Sequence, residues 1–148
     1  MIFTGIRGTQ TVAAKTVLVI IATATIRPRI QKLTGKNIGT IATDSNVELT
    51  CSRITTTGTT TAVTLNGSDP NDPAATLIAG SNASVEPTYT ANTLQASLIY
   101  NPRGQDLWQA LTPAAEIILP ATASNGLGVL LVTLGGGVTV VAEAQVQQ

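Results

Sequence analysis

The sequence predicts an all-β fold, an antiparallel sandwich of about eight strands, on three observations. Twenty-five of its 148 residues are threonine, and a β-branched side chain, stiff at χ1, suits a pleated strand. Short β-branched runs recur between turn signals at the roughly 8–12-residue spacing of sandwiches and barrels. No long helical pattern is present, and parallel strands need long crossover connections that only such segments supply.

Residues 1–14, MIFTGIRGTQTVAA, predict an arm or edge segment. Gly5 and Gly8 interrupt it, and Ile2, Phe3 and Ile6 would be exposed unless docked. Residues 15–26 predict a strand covered on both faces, because TVLVIIATATI is apolar almost throughout. Arg27-Pro28 ends it, and a looser strand follows over residues 30–38 around Gly35. After a turn at Asp44-Ser45, residues 46–54 alternate, with Val47, Leu49 and Cys51 on one face. Gly58 marks a hairpin tip within TTTGTTT, residues 55–61, and a short strand continues over 62–65.

Residues 66–90 predict the longest irregular stretch, dense in Asn-Gly, Asp-Pro and Glu-Pro turn signals, with one helical turn over 74–79. Strands resume at 93–100, with Leu94, Ala96, Leu98 and Tyr100 on one face. A turn at 101–104, short strands at 107–111 and 115–119, and a turn at Ser124-Asn125-Gly126 come next. Residues 128–134 and 138–146 flank Gly135-Gly136-Gly137 and predict a closing hairpin. Val138, Val140, Ala142, Ala144 and Val146 share its inner face. The expected organisation is an N-terminal arm over residues 1–14 and one jelly-roll domain over 15–148, since eight strands fit that fold.

Composition narrows function. Hydrophobic residues make up 43% but aromatics only 3%, so the core must be built from Val, Ile, Leu and Ala. Charged residues are 11%, against about 25% in an average soluble domain. Such a surface is covered by Thr, Ser, Asn, Gln and Gly, or by other protein. The net charge is zero, so nothing predicts attraction to nucleic acid. The charges are segregated: residues 1–53 carry a net +5 and residues 54–148 a net −5. That fits solvated strand faces, or complementary contact between neighbouring copies or with a large partner.

Histidine is absent, which removes Ser-His-Asp and Cys-His catalysis and, with one cysteine, makes zinc improbable. Cys51 alternates with Val47 and Leu49, as a small buried hydrophobe does. Asp106 and Glu116 flank Trp108 as a carboxylate pair would, but solvated strand-end acids explain them more simply. The Asp44–Glu48 and Asp69–Asp72 oxygens could reach calcium, though Asp and Asn are the usual turn residues. Asn66-Gly67-Ser68 and Asn82-Ala83-Ser84 match a glycosylation pattern that is common by chance. Trp108 reads as a core residue or an interface anchor. Arg7, Lys15 and the run at 17–22, followed by Ala22-Thr23-Ala24, imitate a signal peptide, but the run is short and Thr-interrupted. Lys15 and Arg27 bracket too few residues for a transmembrane helix of about 20 apolar positions. The expectation is a structural or binding protein, not an enzyme, with no cofactor, metal, nucleic acid or membrane partner.

Several stretches resemble the jelly-roll capsid decoration, or cement, proteins of tailed bacteriophages. TVLVIIATATIRPRIQKL looks like that group's opening strand pair. NVELTCSRITTTGTTTAVTLNGSDPNDPAA looks like its strand, T-x-x-G-T hairpin and D-P-x-D-P-A-A loop. VEPTYTANTL and DLWQALTPAAEIILPATASNGLGVLL are similar to its Glu-Pro-Thr segment and its aromatic-bearing, Pro-acid and Asn-Gly-Leu-Gly stretches. The likeness runs from about residue 15 to 147. It implies a homotrimer on the outer surface of the virion, bridging major capsid protein subunits, and no catalytic residues. Ile2, Phe3, Arg7, Arg27, Arg29 and Trp108 are the candidate capsid or subunit contacts. The alternative is a receptor- or glycan-binding module of a head fibre or tail, which an exposed groove holding Trp108 or Tyr100 would favour. A donor-strand pilus subunit is a third reading.

Overall fold

The computed structural model describes residues 1–41, 43–134 and 138–148. Its strands in chain order are β1 (Ile2–Gln10), β2 (Lys15–Ile21), β3 (Arg29–Ile38), β4 (Val47–Ile54), β5 (Thr59–Ala62), β6 (Asn66–Gly67), β7 (Ile78–Val85), β8 (Tyr89–Tyr100), β9 (Gln105–Gln109), β10 (Ile117–Ile118), β11 (Gly126–Thr133) and β12 (Thr139–Gln147). They form two antiparallel six-stranded sheets. The first runs β10-β3-β12-β1-β6, with β9 also on β3, and the second runs β5-β7-β2-β11-β4-β8. The all-β sandwich is the predicted class, with more strands than the expected eight.

One core lies between the sheets. Phe3, Ile6, Leu33, Val140, Ala142 and Val146 face it from the first, and Leu18, Ile20, Leu49, Leu98, Leu127 and Leu131 from the second. These are aliphatic residues at alternate strand positions, which is how a pleated strand buries one face. The shared face of residues 138–146 is buried as predicted. So is β2 on both faces: Val17 to Ile21 are each 2% exposed or less.

Residues 1–14 are not an arm. β1 pairs with β12 on one side and β6 on the other, and Phe3 and Ile6 are buried. Gly5, at φ +67°, sits where the register shifts between Phe3 and Ile6, and a glycine takes that left-handed conformation without a Cβ clash. Gly5 therefore bends the strand to fit the sheet, and Gly8 leaves room for the Val17 carbonyl.

Two expected hairpins are corrected. β11 pairs with β2 and β4, whereas β12 pairs with β1 and β3. The chain therefore changes sheets between them, and the triglycine expected at a hairpin tip lies outside the described residues. Residues 55–61 likewise join β4 to β5, which do not pair with each other. They form part of a long ribbon instead. The β4–β8 pairing reaches Ile54↔Tyr89, the Thr55 amide donates to the Thr88 carbonyl, and the β5–β7 pairing starts at Thr59↔Val85. One continuous two-stranded ribbon thus folds across the β2–β11 pair and places its halves on opposite edges of the second sheet. At the bend, Gly58 has φ +63°, and a Cβ there would collide with the Val85 carbonyl and the backbone of residues 86–87.

The wrap encloses a second small core of Val19, Ile21 and Ile54, with Tyr89 packed on it. Glu86 pins the bend. Its carboxylate accepts from the Thr16 amide at 3.0 Å and from the Thr16 hydroxyl, and it pairs with Lys15 at 3.6 Å. Because that hydroxyl proton points to the carboxylate, Tyr89 Oη donates to Thr16 Oγ1 at 2.8 Å. Residues 74–79 form no helical turn; a 3₁₀ turn sits at Pro113–Ala115, and β7 begins at Ile78. Among the described residues, no helix is long and apolar enough to cross a membrane.

Candidate interaction surfaces

The outward face of the first sheet is broad and polar. Register aligns its side chains in rows across β9, β3, β12 and β1: Gln109, Lys32 and Gln145 in one, then Leu107, Thr34, Glu143 and Arg7, then Gln105, Lys36, Val141 and Thr9. Amide and hydroxyl groups alternate with charged ones, and Lys36 pairs with Glu143 at 2.7 Å. Gln31 Nε2 donates to both Glu116 and Gln147 at 3.0 Å. Two shallow grooves of about 280 and 200 Å³ cross this face and share Lys32 and Gln145. A third depression of about 300 Å³ lies elsewhere and is lined by aliphatic residues, among them Val63, Leu65, Ala75 and Ile78.

The candidate contact residues are dispersed. Phe3 is fully buried, so it serves the core and cannot be a contact; Ile2 is half-buried opposite Gln147. Arg7, Arg27 and Arg29 are exposed. Arg29 pairs with Glu116 at 3.4 Å near one end of β3, while the row of Arg7 crosses β3 at Thr34, about 16 Å further along at roughly 3.3 Å per residue. Trp108 is half-buried opposite Leu33 and packs on the core. Tyr100 is buried and donates to Asn37 Oδ1 at 3.2 Å. Neither ring lines a described groove.

Much of the charge segregation is satisfied within the chain. Lys15–Glu86, Arg29–Glu116 and Lys36–Glu143 each join a base of the first 53 residues to a later acid, and Arg103–Asp44 reverses that order at 2.7 Å. Among the described residues Arg7, Arg27, Lys32, Asp69 and Asp72 make no ion pair. The two oxygen-rich segments are turns or ion-paired: Asp69 Oδ1 caps the Asn71 amide, and Asp44 holds Arg103. Asp106 accepts from the Ile99 amide at 2.9 Å, and Glu116 is held by Arg29 and Gln31. Among the described residues, no group of three His, Cys, Asp or Glu is placed to hold a metal.

Cys51 lies in the core, and burial pushes its thiol up from 9.0 to about 12. Burial also raises Tyr89 and Tyr100, and the Glu86 carboxylate adds to the first. Each group holds its proton more tightly folded than unfolded, so its contribution is complete below the unfolded value and lost as pH rises through the folded one. Stability is therefore expected to fall from about pH 9 towards about 12. Urea midpoints against pH check this, and a midpoint rising in that window would refute it. Cys51 should resist alkylation at neutral pH until the chain unfolds.

Sequence reasoning missed two features: the Glu86–Thr16–Tyr89 pin, in which Thr16 lies far along the chain from the other two, and Leu111, which is 90% exposed. An apolar residue between Ala110 and Thr112-Pro113 was the available signal for the second. No family model, curated protein or solved structure matches this chain.

Proposed function

We propose that this chain is a capsid decoration, or cement, protein of a tailed bacteriophage, with a jelly-roll sandwich that assembles as a homotrimer on the outer surface of the virion and stabilises the head by bridging major capsid protein subunits. The observation that carries the reading is the outward face of the first sheet. It is wide and polar, setting Gln and Thr beside Arg7, Lys32, Lys36 and Glu143, suited to many modest hydrogen bonds and ion pairs with another protein surface. Repetition over a lattice turns modest contacts into firm attachment, because the linked copies bind at high effective concentration. The sequence likeness over residues 15–147 supplies the specific partner. The glycan-binding alternative lacks support from its own criterion, since Trp108 and Tyr100 are turned to the core.

The test is binding of the purified chain to undecorated heads, followed by electron cryomicroscopy of the native particle. Saturable binding at the capsid surface and a higher rupture temperature are expected. Gln109→Glu with Gln145→Glu should weaken binding about tenfold, which corresponds to about 1.4 kcal/mol. Location at the tail tip, or absence from particles, would sink the reading.

A further inference from the structure

The two flanks of the sandwich are unlike. β1 packs over β2 and β7, β3 over β8, and β9 lies beside β8. The short strands β5 and β6 therefore share one flank, and β8, β9 and β10 share the other. On the β9–β10 flank stands Leu111, the most exposed large hydrophobic residue, held at its base by the Ala110 amide donating to the Gln31 carbonyl. Lys32 and Glu116 line the same groove as Leu111, Arg29 pairs with Glu116, and Arg53 is held to the Ile118 carbonyl on the same flank. On the β5–β6 flank lies the aliphatic dish of about 300 Å³, lined by Ala62, Val63, Leu65, Ala74, Ala75 and Ile78. Residues 62–78 include Asp69 and Asp72 and no base.

Both features lie at the same end of the molecule. Ile118, Arg29, Gln147 and Ile2 form one row across the first sheet, and the Ser68 amide donates to the Ile2 carbonyl. Gln148 Oε1 accepts from the Thr76 and Leu77 amides at the dish. An aliphatic knob beside Lys32 and the Arg29–Glu116 pair, and an aliphatic dish whose lining segment carries Asp69 and Asp72, thus sit level with each other on opposite flanks of one chain.

We infer that copies of this chain associate head to tail, the Leu111 knob of one seating in the Ala62–Ile78 dish of the next. The occupant is a second copy because the flanks match in both charge and apolar character, and every copy carries both halves. Opposite flanks make the contact heterologous, so it closes into a ring when the rotation per step divides a full turn and otherwise extends. The inference rests on the self-association in the reading above and names its surfaces.

Analytical ultracentrifugation of the full chain tests it. The wild type should sediment as more than its 15.1 kDa protomer. Raising salt towards 1 M, where the Debye length falls to about 3 Å, should weaken assembly. Leu111→Asp removes the knob and Ala74→Arg blocks the dish. Each alone should run as a protomer, with thermal melts near wild type, since both sites are exposed. Mixed in equal amounts they should form a two-chain species, because the first keeps its dish and the second its knob. Leu111→Gln serves if the aspartate variant fails to fold. A protomeric wild type, or a mixture that stays protomeric while the wild type assembles, overturns the contact; the second outcome points to a two-fold interface or another partner. Heads decorated by a protomeric wild type would leave the capsid reading standing without this contact, and assembled chains that ignore heads would do the reverse.

Discussion

Removing residues 1–8 is expected to abolish the cooperative thermal transition. The deletion takes most of a strand from the interior of the first sheet, strips Phe3 and Ile6 from the core and leaves one side of β12 without backbone partners beyond Val141. The point substitutions should rank accordingly. Phe3→Ala should cost about 3–5 kcal/mol and Ile6→Ala about 2–5, large against a typical total of about 5–15. Arg7→Ala, on the exposed face of the same strand, should stay within about 0.5 kcal/mol. Urea unfolding followed by the fluorescence of Trp108 reads all three. A truncated chain that melts like the full one would restore the segment to an arm.

The second large effect is expected at Gly128. It lies in β11 beneath the Tyr89 ring, and a Cβ there would stand 2.6 Å from Tyr89 Oη and 2.8 Å from its ring carbons. The ring cannot retreat without giving up its bond to Thr16 and its place over Val19, Ile21 and Ile54. Gly128→Val should therefore cost at least the roughly 1–3 kcal/mol of an overpacked core. The cost should shrink when Tyr89→Ala is made in the same chain, because the two sites touch and their effects do not add. Equal costs in both backgrounds would show that the ring and the glycine are independent.

Much of the fold was legible. β2, β4 and β12 announce themselves by apolar or alternating runs, and the face of each came out as the pattern reads. What escaped was decided by distant contacts. β7, IAGSNASV, looks like a loop because Gly, Asn and Ser are poor strand formers. Yet it pairs with β2 and β5, and Gly80 is there because a Cβ would strike Thr60. Asn82, at φ +51°, likewise serves the pairing. Gly126 reads as a turn residue and Gly128 as the start of a strand, but both lie within a buried strand, where the Ile20 carbonyl and the Tyr89 ring approach too closely for any side chain. A glycine in sequence reports a need for space without saying whether a turn or a neighbour creates it. The candidate surfaces were legible as composition only: abundant Thr and Gln mark a polar outer face, while its position, and the gathering of Arg7, Lys32, Lys36 and Glu143 on it, follow from the register of strands far apart in the chain.

The seating of β12 between β1 and β3 bears on how the protein is made. A ribosome emits β1 first, at about 5–20 residues per second, but its main partner comes from residues 140–147. Until those residues emerge, the segment that carries Phe3 and Ile6 has only the two-residue β6 to pair with. The first sheet is thus completed only once residues 140–147 have left the exit tunnel. Non-local closure of this kind also folds slowly, on a scale of milliseconds to seconds. The newborn chain therefore passes through an interval with its earliest strand apolar and unsheltered, which is when a chaperone would meet it.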